Sequence, residues 1–362
     1  MLDQWMPRTE IEAWLREKGP ERLRKLWREA DRARRATVGD EVHLRGLIEI
    51  SSHCRRKCLY CGLRAPNVTV RRYRLTSDDI LTSARRAREI GCGTVVLQSG
   101  EDPGLGADWV TGLVERIVSE TGLAVTLSLG ERSPRELAQW RAAGAKRYLL
   151  RFETSDRALL KQIHPPISDH APDRFALLEV LRSLGYETGG GVMVGLPGQT
   201  FATLARDIEI FRSMDLDMIG LGPYVPHPGT PLGSGFVPTP GTAGEQVPDT
   251  ETMTFKVLAL TRIVRPDSNI PSTTAVGVAF SKASRNLGLL RGANVIMPNF
   301  TPQPWRSAYE IYPGKGRSRL DDGRTSGVDA DVEAVAVLAT LRQMNRPVGE
   351  GPGSRVRAGL AC

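Results

Sequence analysis

Three cysteines within eight positions carry the densest chemistry in the chain: Cys54-Arg55-Arg56-Lys57-Cys58-Leu59-Tyr60-Cys61. Thiolates are soft ligands that suit zinc or iron–sulfur centres. A structural zinc site takes four protein ligands, and no second CxxC pair occurs elsewhere in the chain. His53 adjoins Cys54, where the backbone rarely lets neighbours bind one ion together. Three thiolates holding a [4Fe–4S] cubane leave one iron without a protein ligand, open to a substrate or cofactor. A cluster is therefore favoured, with zinc and merely buried cysteines as the alternatives. The other two cysteines, Cys92 and Cys362, stand alone. An odd, clustered set in a large chain argues for metal chemistry over a disulfide framework. Cys92, in the turn Gly91-Cys92-Gly93, reads as structural and is expected at the opposite face of the fold.

The elements that must position this loop follow from the rest of the pattern. With 362 residues, 40% apolar and 25% charged, the chain falls in the globular class. No run reaches the ~18 apolar residues that a bilayer span needs. The N-terminus lacks the apolar core of a signal peptide, which points to a cytoplasmic protein with no membrane partner. Forty-nine Lys and Arg against 41 Asp and Glu give a net charge of +8. The charges read as scattered over solvated helix faces, as in RRATVGDEVHLRG, so a nucleic-acid partner is not expected.

Residues 1–43 read as two helices split at Gly19-Pro20. From residue 44 to 313, short β-like runs alternate with helical runs, the mark of a parallel α/β fold. Strands are expected at 44–50, 94–98, 124–128, 147–152, 190–194, 217–221, 270–275 and 294–297. Eight strands with seven intervening helices predict a (βα)8 TIM-type barrel, with an open six-stranded variant as the alternative. Residues 314–362 read as a Gly/Ser/Arg-rich loop, a helix over 329–344 and a mobile tail. Polar residues gather after the strand ends, as in SSHCRRKC, QSGED, RFET and GPYVPHPGTP. That is the face where barrel enzymes work, so the chain reads as an enzyme. Arg151 would be an expensive buried charge without an anionic partner, and Thr273 and Thr274 offer hydroxyls. His227 reads as a satisfied loop histidine.

The CxxxCx(aromatic)C loop, with Tyr60 as the aromatic, resembles the radical S-adenosylmethionine (SAM) superfamily. In that superfamily the unique iron chelates SAM, and one-electron reduction yields a 5′-deoxyadenosyl radical. From about residue 44 to 316 the loops resemble the HydE family of [FeFe]-hydrogenase maturases, with methylornithine synthase (PylB) and biotin synthase as cousins. The resemblance implies one [4Fe–4S] cluster on Cys54, Cys58 and Cys61, with SAM beside it. Gln98, Ser99, Gly100 and Glu101 fall at the motif that accepts hydrogen bonds from the SAM ammonium group. Thr126, Glu153 and Arg174 fall around its ribose and carboxylate, and Met193 and Val225 around its sulfonium and adenine. Tyr309 matches another aromatic of the cavity, and with Arg151, Thr273 and Thr274 it would face a small sulfur- or amino-acid-containing substrate.

The implied partners are an iron–cysteine complex as substrate, an electron donor such as flavodoxin or ferredoxin, and the maturases HydG and HydF. Two positions depart from the family. Phe152 replaces a histidine, which would remove a polar group beside the cavity, and Val192 replaces a small hydroxyl residue. A radical SAM enzyme with a different small-molecule substrate, or a non-catalytic iron–sulfur scaffold or zinc module, are the competing functions.

Overall fold

The computed structural model describes residues 6–168, 173–303, 305–315, 318–319, 325–326 and 330–356. Helices α1 (Arg8–Arg16) and α2 (Pro20–Val38) break at Gly19, with Pro20 at the first helical position. Each lays one apolar stripe inward, through Ile11 and Leu15 in α1 and Leu26 and Ala30 in α2.

Seven parallel strands follow: β1 (His43–Ser51), β2 (Thr94–Ser99), β3 (Ala124–Ser128), β4 (Ala145–Leu149), β5 (Glu187–Val194), β6 (Met218–Pro223) and β7 (Val295–Ile296). They lie in the order β6-β5-β4-β3-β2-β1-β7. The intervening helices are α3 (Ser77–Glu89), α4 (Ala107–Thr121), α5 (Pro134–Ala142), α6 (Arg157–Ile163), α7 (Arg174–Ser183), α8 (Phe201–Ser213), α9 (Glu251–Val264), α10 (Thr274–Ala279) and α11 (Lys282–Leu289). Local chemistry sets their limits. Thr76 and Ser133 close capping boxes on α3 and α5. Gly144 and Gly185 leave α5 and α7 at φ +110° and +81°, where a Cβ would be strained.

The strand expected at 270–275 does not form, although its first residues still join the sheet. Asn269 bridges Met218 of β6 and Pro271 bridges Val295 of β7. The bonds are Ile219 N–H to Asn269 O (3.0 Å) on one side and Ser272 N–H to Val295 O (3.0 Å) on the other. The two sheet edges are thereby joined, and the TIM-type α/β architecture stands. Pro271 has no N–H to donate, and Thr273 caps α10 from extended backbone, so pairing stops there. Helix α6 was not expected; Asp156 starts it by accepting from the N–H groups of Ala158 and Leu159.

The end of the chain was expected to be mobile, yet residues 346–355 lie across the amino-terminal end of the barrel. Gly353 O accepts from Arg45 (3.2 Å) and Asn269 (3.0 Å), and the buried Arg147 donates to Pro352 O and Ser354. Arg355 pairs with Asp215, Asp217 and Asp267. Polar anchoring of this kind leaves no hydrophobic pattern in the segment itself. Cys92 is buried at the same end, away from the cysteine loop, and Cys362 lies outside the described residues. Helix α12 (Ala330–Gln343) follows an antiparallel pair of two-residue strands. No helix among the described residues is long and apolar enough to cross a membrane.

Candidate active site at the carboxyl end of the barrel

A cavity of about 310 Å³ opens at the carboxyl ends of the strands. Its wall takes in Cys54, Cys58 and Cys61, and also Tyr60, Gln98, Ser99, Gly100, Glu101, Thr126, Arg151, Glu153, Arg174, Met193, Val225, Thr273, Thr274 and Tyr309. Every residue singled out for the site is thus on one wall.

The cysteine loop leaves β1 and is pinned by backbone hydrogen bonds from several directions. Arg55 N–H donates to Glu101 O (3.0 Å), Leu59 N–H to Ile163 O (2.8 Å) and Gly62 N–H to Ile311 O (2.9 Å). Below it, a Cβ at Gly100 would come within 2.3 Å of His53 O and 2.7 Å of the Cys54 Cβ. Only glycine lets β2 approach the loop so closely. Burial pushes the three thiols up, Cys58 to about 12, and each opposes ionisation of a neighbour: Cys54 acts on Cys58, and both act on Cys61. Bound iron would remove that cost, because a coordinating thiol is deprotonated outright. Three thiolate donors lining one cavity are a set that suits an iron–sulfur cluster.

Beneath the loop lies a network that the sequence did not reveal. The Cys58 sulfur is 3.0 Å from His164 Nδ1, and His164 Nε2 is 3.1 Å from a Glu131 oxygen. Arg174 Nε donates to the same oxygen (2.8 Å), and Arg56 donates to the other (3.3 Å). Tyr60 stacks on the His164 ring at 6.4 Å. Burial alone would raise the Glu131 carboxyl, but His164, Arg174 and Arg56 outweigh it and hold it well below the usual range. Burial, with Arg174 beside it, keeps His164 neutral. These partners come from the loop after β3, the end of α6 and the start of α7. The available signals were a Gly-Glu pair after a strand and a histidine before two prolines.

Glu101 was expected to meet an ammonium group. Within the protein, one oxygen accepts from Arg55 (2.9 Å) and the other from Glu131 N–H (3.1 Å). It ties the β2 loop to the cysteine loop and to the loop after β3. Glu153 is also distinctive: it is a non-glycine residue at φ +65°, and strain of this kind collects at functional sites. Arg151 Nη2 lies 2.9 Å from its carboxylate and donates to Val192 O (2.9 Å). Arg151 Nε and Thr126 Oγ1 are buried with no hydrogen-bond partner among the described residues. Both sit in residues of the cavity wall, where a polar ligand would satisfy them.

Behind Glu153, Asp207 braces the wall. It accepts from Ser155 N–H (2.6 Å), while Gln199 donates to Met193 O (3.0 Å) and lies 3.4 Å from Asp207. Burial pushes the Asp207 carboxyl up from 3.8 to about 7, against the hydrogen bonds that favour its charge. A carboxyl raised in the native state contributes stability below its unfolded value and loses it as pH rises through the native value. Stability should therefore fall between pH 4 and 7 by up to about 4 kcal/mol on this account. In Asp207→Asn that slope is expected to flatten, as read from urea unfolding across the window. Parallel curves for the two proteins would show that Asp207 carries no such load.

The two departures from the family do not face the cavity. Phe152 is fully buried outside it, packed on Phe175 at 4.8 Å and Phe211 at 5.9 Å between ring centroids. Val192 is fully buried too, and only its carbonyl reaches Arg151. Alternation along β5 turns Val192 away from the cavity that Met193 lines, and Phe152, beyond the end of β4, packs on α7 and α8. His227 stays off the wall and accepts from Gly229 N–H (2.9 Å), as a loop-shaping histidine does.

The family model described as the Radical SAM superfamily matches residues 48–211. Over 290 residues the chain is 49% identical to the [FeFe] hydrogenase maturase subunit HydE of Thermotoga maritima, covering 80% of this chain and 79% of that protein. The fold is similar to the crystal structure of methylornithine synthase (PylB), with a TM-score of 0.76 at 22% identity over 96% of this chain and 95% of that one. It is also similar to the maturase HydG of Carboxydothermus hydrogenoformans, with a TM-score of 0.71 at 16% identity over 94% and 75%.

Proposed function

The chain belongs to the HydE family of the radical SAM superfamily, and from that premise we propose that it takes part in assembling the active site of an [FeFe]-hydrogenase. Its substrate is a small sulfur- or amino-acid-containing molecule, in the HydE manner an iron–cysteine complex. HydG and HydF are the partners this assigns, with an electron donor of the flavodoxin or ferredoxin kind. The carrying observation is that the three thiols of the cysteine loop line one cavity together with the residues expected around SAM.

One [4Fe–4S] cluster would be held by Cys54, Cys58 and Cys61, and with SAM it supplies a 5′-deoxyadenosyl radical on one-electron reduction. The protein's own residues bind, orient and exclude water. Arg174 is fixed by Glu131 through Nε and by Arg151 O through Nη1, which leaves Nη2 without a hydrogen bond among the described residues and able to take a carboxylate. Glu153 and Thr126 offer oxygens to a ribose diol, and Met193 and Val225 give the apolar side of that pocket. Arg151, Thr273, Thr274 and Tyr309 face the part of the cavity left for substrate. Leu47, Val96, Leu149 and Met297 line the wall among them, which keeps a reactive carbon away from water.

Low-temperature EPR on anaerobically reconstituted, dithionite-reduced protein tests this. The expected result is a [4Fe–4S]⁺ signal that changes shape when SAM is added. A signal indifferent to SAM would sink the proposal and leave an iron–sulfur scaffold.

A further inference from the structure

One step beyond Leu47, toward the carboxyl end of β1, the barrel holds a buried charge pair. Arg45 and Leu47 line the cavity, and alternation turns Glu49 to the same side. Glu49 is fully buried and pairs with Lys315, which is buried too and forms part of the cavity wall. The other Glu49 oxygen accepts from Asn299 (3.1 Å) and Thr301 (3.3 Å). Local chemistry delivers the lysine. Tyr312-Pro313-Gly314-Lys315 has the form of a type II turn, with proline second, glycine third at φ +79°, and Lys315 N–H donating to Tyr312 O (3.3 Å).

Stability alone explains such a pair poorly, because apolar residues of the same volume often serve an interior as well. What the pair provides is a cation held still. An ammonium has three N–H donors. Glu49 takes one, and the Tyr309 ring lies 4.6 Å from Nζ. Apart from that ion pair, Lys315 Nζ is buried with no hydrogen-bond partner among the described residues, so its remaining donors are left to whatever fills the cavity. Arg151 is built in the same way: it pairs with Glu153 (2.9 Å) and keeps Nε over. Seven strands and the bridging residues 269–271 close the ring, with β2 and β3 between β1 and β4. Lys315, at the β1 wall, and Arg151, after β4, therefore come to one cavity from opposite sides.

We propose that Lys315 is a specificity-determining residue that takes one end of the substrate while Arg151 takes the other, so that the substrate is a small molecule with two anionic or strongly accepting groups. The inference rests on the function proposed above and narrows the substrate class of that same cavity. A ligand with only one such group leaves the donors of one cation buried and unpaired, which costs more than the missing contact alone. Two fixed cations also set the distance between the two groups, so length is selected together with charge.

The test uses the straight-chain dicarboxylates from malonate to adipate, with the monocarboxylate butyrate for comparison, titrated calorimetrically into the reconstituted protein with SAM present. At least one dicarboxylate is expected to bind roughly tenfold more tightly than butyrate. Lys315→Met should remove that preference, with roughly a tenfold loss for the dicarboxylate and less than about twofold for butyrate, since Arg151 remains. Because this change strands the Glu49 carboxylate, the second variant combines Lys315→Met with Glu49→Gln. It keeps an oxygen for Asn299 and Thr301 and should lose the same preference. A lysine that only braced the wall would move both ligands together, and that result overturns the proposal. So does a wild type that binds dicarboxylates no better than butyrate, or a double variant that keeps the preference. Failure of the radical SAM function is read elsewhere, in an EPR signal indifferent to SAM; a dicarboxylate preference lost with Lys315 in that protein would leave this inference standing.

Discussion

Alanine at any one of Cys54, Cys58 or Cys61 is expected to leave the chain folded and without a stable cluster. Two thiolates cannot hold a cubane that already lacks a fourth protein ligand. The fold should survive because the loop's shape does not rest on the metal. It is held by backbone bonds from Leu59 and Gly62 and by the side chains of Arg64 and Arg72. Truncating one buried sulfur should cost about 1–2 kcal/mol, the range of a modest core deletion. Iron and acid-labile sulfide per chain after reconstitution, set beside a thermal melt, separate the two effects. Cys92→Ala is the control: it removes a thiol as buried as that of Cys58 at the other end of the barrel and should keep full iron. A loop variant with wild-type iron and SAM cleavage would remove that cysteine from the ligand set.

Local sequence was sufficient wherever local chemistry decides the outcome. Thr76, Ser133, Gly144 and Gly185 mark helix limits with side chains and backbone angles that act within four residues, and those elements form where expected. It failed where a distant part of the chain decides. Residues 270–275 have strand composition, but Pro271 and the cap at Thr273 limit them to one bridge, with Asn269 just before them bridging the other edge of the sheet. The Glu131–His164–Arg174 network joins three loops far apart in the chain, and no spacing rule connects them. Segment 346–355 carries no apolar stripe, since it is anchored by Arg45, Arg147 and its own Arg355. Phe152 and Val192 were legible as departures, but whether they face the cavity was not.

Because Arg174 anchors the network beneath the loop and is also the residue proposed for the SAM carboxylate, the second large effect is expected there. Its Nε holds Glu131, its Nη1 donates to Arg151 O, and its Nη2 is the atom left for a ligand carboxylate. In Arg174→Met the buried Glu131 carboxylate keeps only His164, which is neutral, and Arg56 at 3.3 Å. Removing one partner of a buried pair typically costs ~3–5 kcal/mol, so the urea midpoint should fall sharply even in protein without a cluster. SAM affinity of the reconstituted variant should also drop by at least tenfold, since a charged hydrogen bond contributes about 1.5–3 kcal/mol. Arg174→Lys should restore part of the stability and little of the affinity, because a single ammonium cannot face Glu131 and the cavity with fixed geometry. The split between those two readouts identifies the role. Loss of stability alone would make Arg174 a structural partner of Glu131, and equal rescue of both by lysine would show that charge suffices without the planar fork.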